Sequence, residues 1–220
     1  MLFFPVCLDL KNRPVLVVGG GLIAEGKLLQ LVEAGAQVHL VSPTLTGTLQ
    51  KLVESGTITY RCGKFEDSDL AENFLVVCAT NFQSVNEEVA QAAGLRNMLC
   101  NVVDQPALCN FITPAIVTRG ALQISISSAG QSPSVAQRVK REIAELIGTE
   151  YEVLLEITSA LRTDFREVTP DYNIRRDFLR GFVDSEALDL IRQGKPEAAR
   201  ELGQRMLHAF INNQDNRSVE

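Results

Sequence analysis

Gly19, Gly21 and Ala24 stand in the spacing G-x-G-x-x-A within Val15-Leu16-Val17-Val18-Gly19-Gly20-Gly21-Leu22-Ile23-Ala24, between an apolar strand run and a helical stretch. In such a turn the first glycine permits the sharp bend, the second lets backbone approach a pyrophosphate, and the small third residue lets helix and strand pack closely. The helix start behind it offers unpaired N–H groups and a positive dipole end to phosphates. The expected chemistry is dinucleotide binding through Gly19, Gly21, Leu22 and Ile23. A glycine-rich turn in a nucleotide-free sheet is the plain alternative. The second strand ends at Val41-Ser42-Pro43-Thr44, with neither an acid for the ribose hydroxyls nor an arginine for a 2′-phosphate. Ser42 and Thr44 are candidates for the ribose or simple turn residues, and the pattern does not decide between NAD and NADP.

Asp104 follows another apolar run, in Cys100-Asn101-Val102-Val103-Asp104-Gln105-Pro106. Ligands of open α/β sheets sit beyond the carboxyl ends of the strands, which puts this acid near a bound nicotinamide. A carboxylate there accepts a proton as a hydride leaves a substrate, the general-base half of a dehydrogenation. The other role compatible with its position is capping the turn before Pro106. A second polar patch, Ser127-Ser128-Ala129-Gly130-Gln131-Ser132-Pro133, joins a strand to a helix and either admits a large flat ligand or just makes the turn. Arg138, Lys140 and Arg141, then Arg175, Arg176 and Arg180, are available to carboxylates, although solvated helix faces usually carry such charges.

The elements that must position these groups alternate through the first half. Strand runs are expected at Val15–Val18, Gln37–Val41, Ile58–Arg61, Leu75–Ala79 and Met98–Val102. Helical stripes fall between them, at Leu22–Glu33, at Leu45, Leu49, Leu52 and Val53, and at Val85, Val89, Ala92 and Ala93 before Gly94. This alternation implies a parallel sheet with helices on both sides. After about Asn110 the pattern changes to two strands, Ala115–Thr118 and Leu122–Ser127, around an Arg119-Gly120 turn. Ser132-Pro133 then opens a helix with Val135, Val139, Ile143 and Leu146 on one apolar stripe. That stripe has little core of its own to cover, which motivates a homodimer. From Thr149 onward the sequence reads as helical, with Val153, Ile157 and Leu161 on one face, then 171–182, 185–193 and 196–211, and a frayed polar tail from Asn212.

The bulk numbers bound these readings. A chain of 220 residues should bury roughly 70% of the surface its unfolded form exposes, so it needs no disulfide scaffold. A net charge of -6 argues against a nucleic-acid partner. The apolar opening Met1–Leu8 is short and meets Asp9 and Lys11, no stretch approaches a membrane span, and a cytoplasmic protein is expected. Cys7, Cys62, Cys78, Cys100 and Cys109 form no CxxC pair and read as reduced core thiols. His39 and His208 are far apart, so no histidine-based metal centre is expected.

Together, Val17-Val18-Gly19-Gly20-Gly21-Leu22-Ile23-Ala24, Asn101-Val102-Val103-Asp104-Gln105-Pro106, Phe111-Ile112-Thr113-Pro114-Ala115 and Ser127-Ser128-Ala129-Gly130-Gln131-Ser132-Pro133 resemble the precorrin-2 dehydrogenase/sirohydrochlorin ferrochelatase family, which also forms the amino-terminal half of sirohaem synthase. The resemblance runs from about Leu2 to Leu146, with a weaker echo at Arg175-Arg176-Asp177-Phe178. It implies a Rossmann-like parallel α/β sheet, then a small α+β dimerisation module, then a C-terminal all-α domain, with boundaries at 1–112, 113–148 and 149–220. It implies NAD-dependent oxidation of precorrin-2 to sirohydrochlorin and insertion of ferrous iron, as a substrate, to give sirohaem. The methyltransferase half of the fused enzyme is expected to be absent.

By the same resemblance, Asp104 is the acid/base of both steps. Gly19, Gly21, Leu22, Ile23, Ser42, Pro43, Thr44, Thr80 and Asn101 hold NAD, and Ser128, Gly130, Ser132 and Arg138 hold the tetrapyrrole. Ser128 matches a family serine associated with tetrapyrrole binding and, in the fused form, phosphorylation. Ala129 departs from the glycine of many relatives, and its methyl group would crowd the ligand. Some members only oxidise, and no residue here separates the two types. An NAD-sensing regulatory module would explain Gly19–Ala24 but leave Asp104 and the 127–133 segment without a task, and a dehydrogenase of another small metabolite is told apart by whether precorrin-2 is oxidised.

Overall fold

Val15, Leu16 and Val17 have no exposed surface. An unbroken apolar run demands that position, the centre of a parallel sheet covered on both faces. The computed structural model describes residues 3–217, and the run is β1 (Pro14–Val18). The helix α1 (Leu22–Glu33) leads to β2 (Gln37–Ser42), α2 (Gly47–Glu54) to β3 (Thr59–Cys62), and α3 (Gln83–Leu95) joins β4 (Leu75–Cys78) to β5 (Leu99–Val102). All pairings are parallel, in the order β3-β2-β1-β4-β5. Leu28, Leu40 and Leu49 pack against one face with Val15 and Val17, and Val76, Val89, Ala93 and Val102 pack against the other with Leu16. Each such Val or Leu side chain contributes about 1.5–3 kcal/mol by leaving water.

The strand and helix expectations hold with small shifts. β3 starts after Ile58, which is buried but precedes the ladder, and β5 starts after Met98. Thr46 caps α2, its Oγ1 accepting from Leu49 N at 3.2 Å, so Leu45 lies outside that helix. α3 continues through Gly94 to Leu95. Of the cysteines expected in the core, Cys78 and Cys100 are buried and Cys109 partly so, but Cys7 and Cys62 are exposed; all are free thiols. Burial, seconded by the neighbouring Cys100, pushes the Cys78 thiol up to about 12, and burial pushes Cys100 up to about 11. Thiols held protonated in this way are poor nucleophiles.

The structure divides into two compact units, the first reaching Thr113 and including Ala129–Gln131, the second comprising Pro114–Ser128 and the chain from Ser132. In the second unit β6 (Ala115–Arg119) and β7 (Leu122–Ile126) form an antiparallel hairpin turning at Gly120, φ +55°. Ser132 caps α4 (Pro133–Leu146), its hydroxyl accepting from Val135 N at 3.3 Å. Arg119 closes the other end of α4 by donating to Ile147 O at 2.8 Å and Ala144 O at 2.7 Å. A guanidinium suits this place because the last helical carbonyls lack partners and carry the negative dipole end.

The helices α5 (Glu150–Val168), α6 (Tyr172–Val183), α7 (Ala187–Arg192) and α8 (Pro196–Arg217) follow. Leu154, Ile157, Leu161 and Phe182 form their core with Ala187 and Ile191, and Phe165 stacks on Phe178 at 4.3 Å between centroids. Asp171 caps α6 from outside it, and Ser185 lies before α7, accepting from Ala187 N. The expected fraying from Asn212 is corrected for the residues up to Arg217, which continue α8; Ser218–Glu220, and Met1 and Leu2 of the opening, lie outside the described residues. Among the described residues no helix is long and apolar enough to cross a membrane.

Candidate functional site

β1 has β2 on one side and β4 on the other, so the chain leaves its carboxyl end at the point where strand order reverses. Such a switch point opens a crevice between the loops. Here it is a cavity of about 1120 Å³, lined by the glycine turn after β1 and by the loops after β2, β3, β4 and β5. That volume lies just above the range of ordinary ligand cavities, which suits a ligand as large as a dinucleotide.

The three glycines have different jobs. Gly19 sits at φ +114°, and a Cβ there would lie 2.3 Å from Ala79 O. A Cβ on Gly20 would lie 2.0 Å from Thr44 O. Both are needed for backbone to meet backbone. Gly21, by contrast, has no atom within 4 Å of an added Cβ and faces open space on the cavity wall. It also caps α1 with no side chain bonded to the first-turn N–H groups. Exposed Leu22 and Ile23 complete a helix start able to receive a pyrophosphate. The residues present therefore fit a dinucleotide.

Ser42, Pro43, Thr44 and Thr80 also line the cavity. The Ser42 hydroxyl is buried and donates to Thr44 O at 2.8 Å, so it closes the turn and holds Thr44 at the rim. The Thr80 hydroxyl donates to Asn86 Oδ1 at 2.6 Å, and Asn86 Nδ2 returns a bond to Thr80 O at 3.2 Å. Buried Asn86 thus fixes the loop after β4. Asn101, expected at the cofactor, lies elsewhere: it is buried off the cavity wall, and its Nδ2 donates to Phe111 O at 3.0 Å. A polar residue in a buried strand must find an internal acceptor, and the returning chain supplies it.

Asp104 is exposed on the cavity wall, two residues past β5. Val103 N donates to Cys78 O at 2.9 Å, which pins the acid's loop across the end of β4. Asp104 has φ +59°, a left-handed conformation that Asp and Asn tolerate better than most residues. Lys27, half-buried one turn along α1 from Ile23, was not anticipated. Burial lowers its pKa, and the Asp104 charge partly opposes that shift. Lys64, on the loop after β3, was also not anticipated and lines the same cavity.

The substrate-side candidates fall elsewhere in the chain. In the second unit Ser128 Oγ accepts from Ser132 N at 3.1 Å, and exposed Arg138 pairs with Glu142 at 2.8 Å. Gly130 and Ala129, grouped with the first unit, both have positive φ, +81° and +54°. Arg175 donates to Thr169 O, and Arg176 pairs with Asp177. Among the described residues no group of three or more His, Cys, Asp or Glu side chains is placed to hold a metal ion.

Residues 6–115 match a family model described as "Putative NAD(P)-binding", residues 119–146 match "Sirohaem biosynthesis protein central", and residues 150–207 match "Sirohaem synthase dimerisation region". The chain belongs to the precorrin-2 dehydrogenase and sirohaem synthase family. Among relatives in this family, the siroheme synthase of Thioalkalivibrio sulfidiphilus is 35% identical over 97% of this chain and 44% of its own length. That of Xylella fastidiosa is 42% identical over 86% of this chain and 40% of its own length. The chain spans less than half the length of the curated relatives it matches. A solved structure of a family member, a precorrin-2 dehydrogenase, superposes with a TM-score of 0.77 at 25% identity, covering 92% of this chain and 100% of the other.

Proposed function

We propose that this chain oxidises precorrin-2 to sirohydrochlorin with NAD and inserts ferrous iron to give sirohaem. The observation that carries the reading is a carboxylate, Asp104, on the wall of the same cavity as an open, uncapped helix start at Gly21. The names of the matched relatives and of the matched structure supply the substrate class.

When bound, NAD supplies the hydride acceptor. Gly19, Gly21, Leu22 and Ile23 receive its pyrophosphate, Pro43 and Thr44 bound its ribose end, and Thr80, after β4, lines the side toward Asp104. As the substrate loses a hydride, Asp104 accepts the accompanying proton and the ring system gains conjugation. In chelation the same carboxylate takes protons from the pyrrole nitrogens as the iron enters. A metal acting as substrate needs no resident ligand set. Ser128, Gly130, Ser132 and Arg138 receive the tetrapyrrole on this reading. The division of labour follows 1–112, 113–148 and 149–220, in a cytosolic homodimer.

The test is an anaerobic absorbance assay with precorrin-2 and NAD, followed by ferrous or cobaltous ion. The expected result is NAD-dependent conversion to sirohydrochlorin and then a metal-dependent spectral change. Oxidation without metal uptake would reduce the chain to a dehydrogenase. Binding of NAD with no oxidation would leave a nucleotide-sensing module or a dehydrogenase of another metabolite.

A further inference from the structure

The cavity wall carries one cation and one acid among its described residues, and they stand at opposite ends: Lys64 follows β3, at one edge of the sheet, and Asp104 follows β5, at the other. The glycine turn after β1 lies between them. A dinucleotide whose pyrophosphate rests on that turn, with its nicotinamide toward Asp104, directs its adenosine ribose to the ends of β2 and β3. The usual discriminator there is an acid at the end of β2, which binds the ribose hydroxyls and repels a 2′-phosphate. Ser42-Pro43-Thr44 offers none, and the Ser42 hydroxyl is spent within its own turn.

The loop bearing Lys64 is braced beside that rim. Gly63 N donates to Ser42 O at 3.3 Å, and Arg61 Nη2 donates to Lys64 O at 2.7 Å. The loop's acids are engaged by arginines: Glu66 with Arg61 at 3.2 Å, Asp69 also with Arg61, and Asp67 with Arg96. Lys64 itself makes no ion pair among the described residues. Its ammonium is therefore the uncompensated charge at the ribose end of the crevice.

We infer that this crevice accepts the 2′-phosphorylated dinucleotide, NADP, as well as NAD, with the Lys64 ammonium receiving the 2′-phosphate. The inference rests on the dinucleotide reading of the cavity and adds its ribose-end selectivity.

Calorimetric titration of the full chain with NAD and with NADP tests it, using wild type, Lys64→Glu and Lys64→Arg. Wild type should bind NADP within about tenfold of NAD. Lys64→Glu should lower the NADP-to-NAD affinity ratio by roughly tenfold, the size of one partly exposed ion pair replaced by repulsion, and Lys64→Arg should preserve it. The effect should shrink as salt is raised. A ratio unmoved by Lys64→Glu, or wild type binding NAD while NADP is weaker by more than about a hundredfold, overturns the inference. Wild type binding neither dinucleotide overturns the underlying cavity reading too, and is told apart by the silent NAD titration.

Discussion

Lys27 Nζ donates to Thr113 Oγ1 at 2.6 Å, tying the body of α1 to the last residues of the first unit, while the charge of Asp104 acts on the same ammonium. Burial outweighs that attraction, so the lysine is less readily charged in the folded chain than in the unfolded one. The unfolded chain then binds more protons across the titration. The charged lysine thus costs stability below its lowered pKa, and the cost disappears as pH rises past the ordinary lysine value of about 10.4. Lys27→Met should melt at the same or a higher temperature than wild type at pH 7, and the gap should close toward pH 10.5 or so. A variant clearly less stable at pH 7 would show that the bond to Thr113 outweighs the burial.

Replacing Asp104 separates catalysis from binding. Asp104→Asn keeps a side chain suited to φ +59° and removes the basic site, whereas Asp104→Ala also disturbs the backbone. Both should retain NAD affinity by calorimetry, and oxidation should fall on the order of 10²–10⁴ in single-turnover absorbance measurements. Chelation should fall with it. Full activity in Asp104→Asn would reduce the residue to a turn former.

The glycine turn predicts opposite failures at adjacent positions. Gly20→Ala places a methyl against Thr44 O and should lower the melting temperature or prevent folding. In Gly21→Asp the added Cβ meets no atom within 4 Å, so the variant should fold normally, yet its carboxylate would occupy the pyrophosphate position. Circular dichroism melts paired with NAD titration read both. An unfolded Gly21→Asp, or one that binds NAD as well as wild type does, would refute the assignment.

Homodimerisation is testable on α4. Val135 and Leu146 are 56% and 73% exposed in the single chain. Two strands alone form a marginal sheet, so the β6–β7 hairpin and its helix gain from further cover. Sedimentation of wild type should give a dimer at micromolar concentration, and Val135→Glu with Leu146→Glu should weaken it. A fully active wild-type monomer would contradict the proposal.

The parallel sheet was legible because each strand is an apolar run bounded by turn residues, and α1 could be read from Leu22 to Glu33 because a glycine turn opens it and Gly35 follows it. The cavity wall was legible only where its residues are consecutive, as at Gly19–Ile23, or follow the end of a strand, as at Asp104. Lys64 carries no local mark, since parallel pairing, not sequence distance, brings the loops after β3 and β5 to the same carboxyl-terminal side of the sheet, and Lys27 reads as an ordinary residue of α1. Asn101 illustrates the reverse case. Its place in a motif suggested a ligand, but burial inside β5 turned its amide toward Phe111. A cue existed in its position, since a side chain between Cys100 and Val102 in a buried strand has little access to solvent.

The placement of β1 also bears on how the chain emerges from a ribosome. Val15 pairs with Val38 on one side but must wait for Leu75 on the other, about sixty residues later. At ~5–20 residues per second, synthesis leaves that apolar edge unpaired for roughly 3–12 s, long enough to recruit other strands or a chaperone. A ribosome stalled between α2 and β4 would therefore display the most sequestered segment of the finished sheet as its stickiest surface.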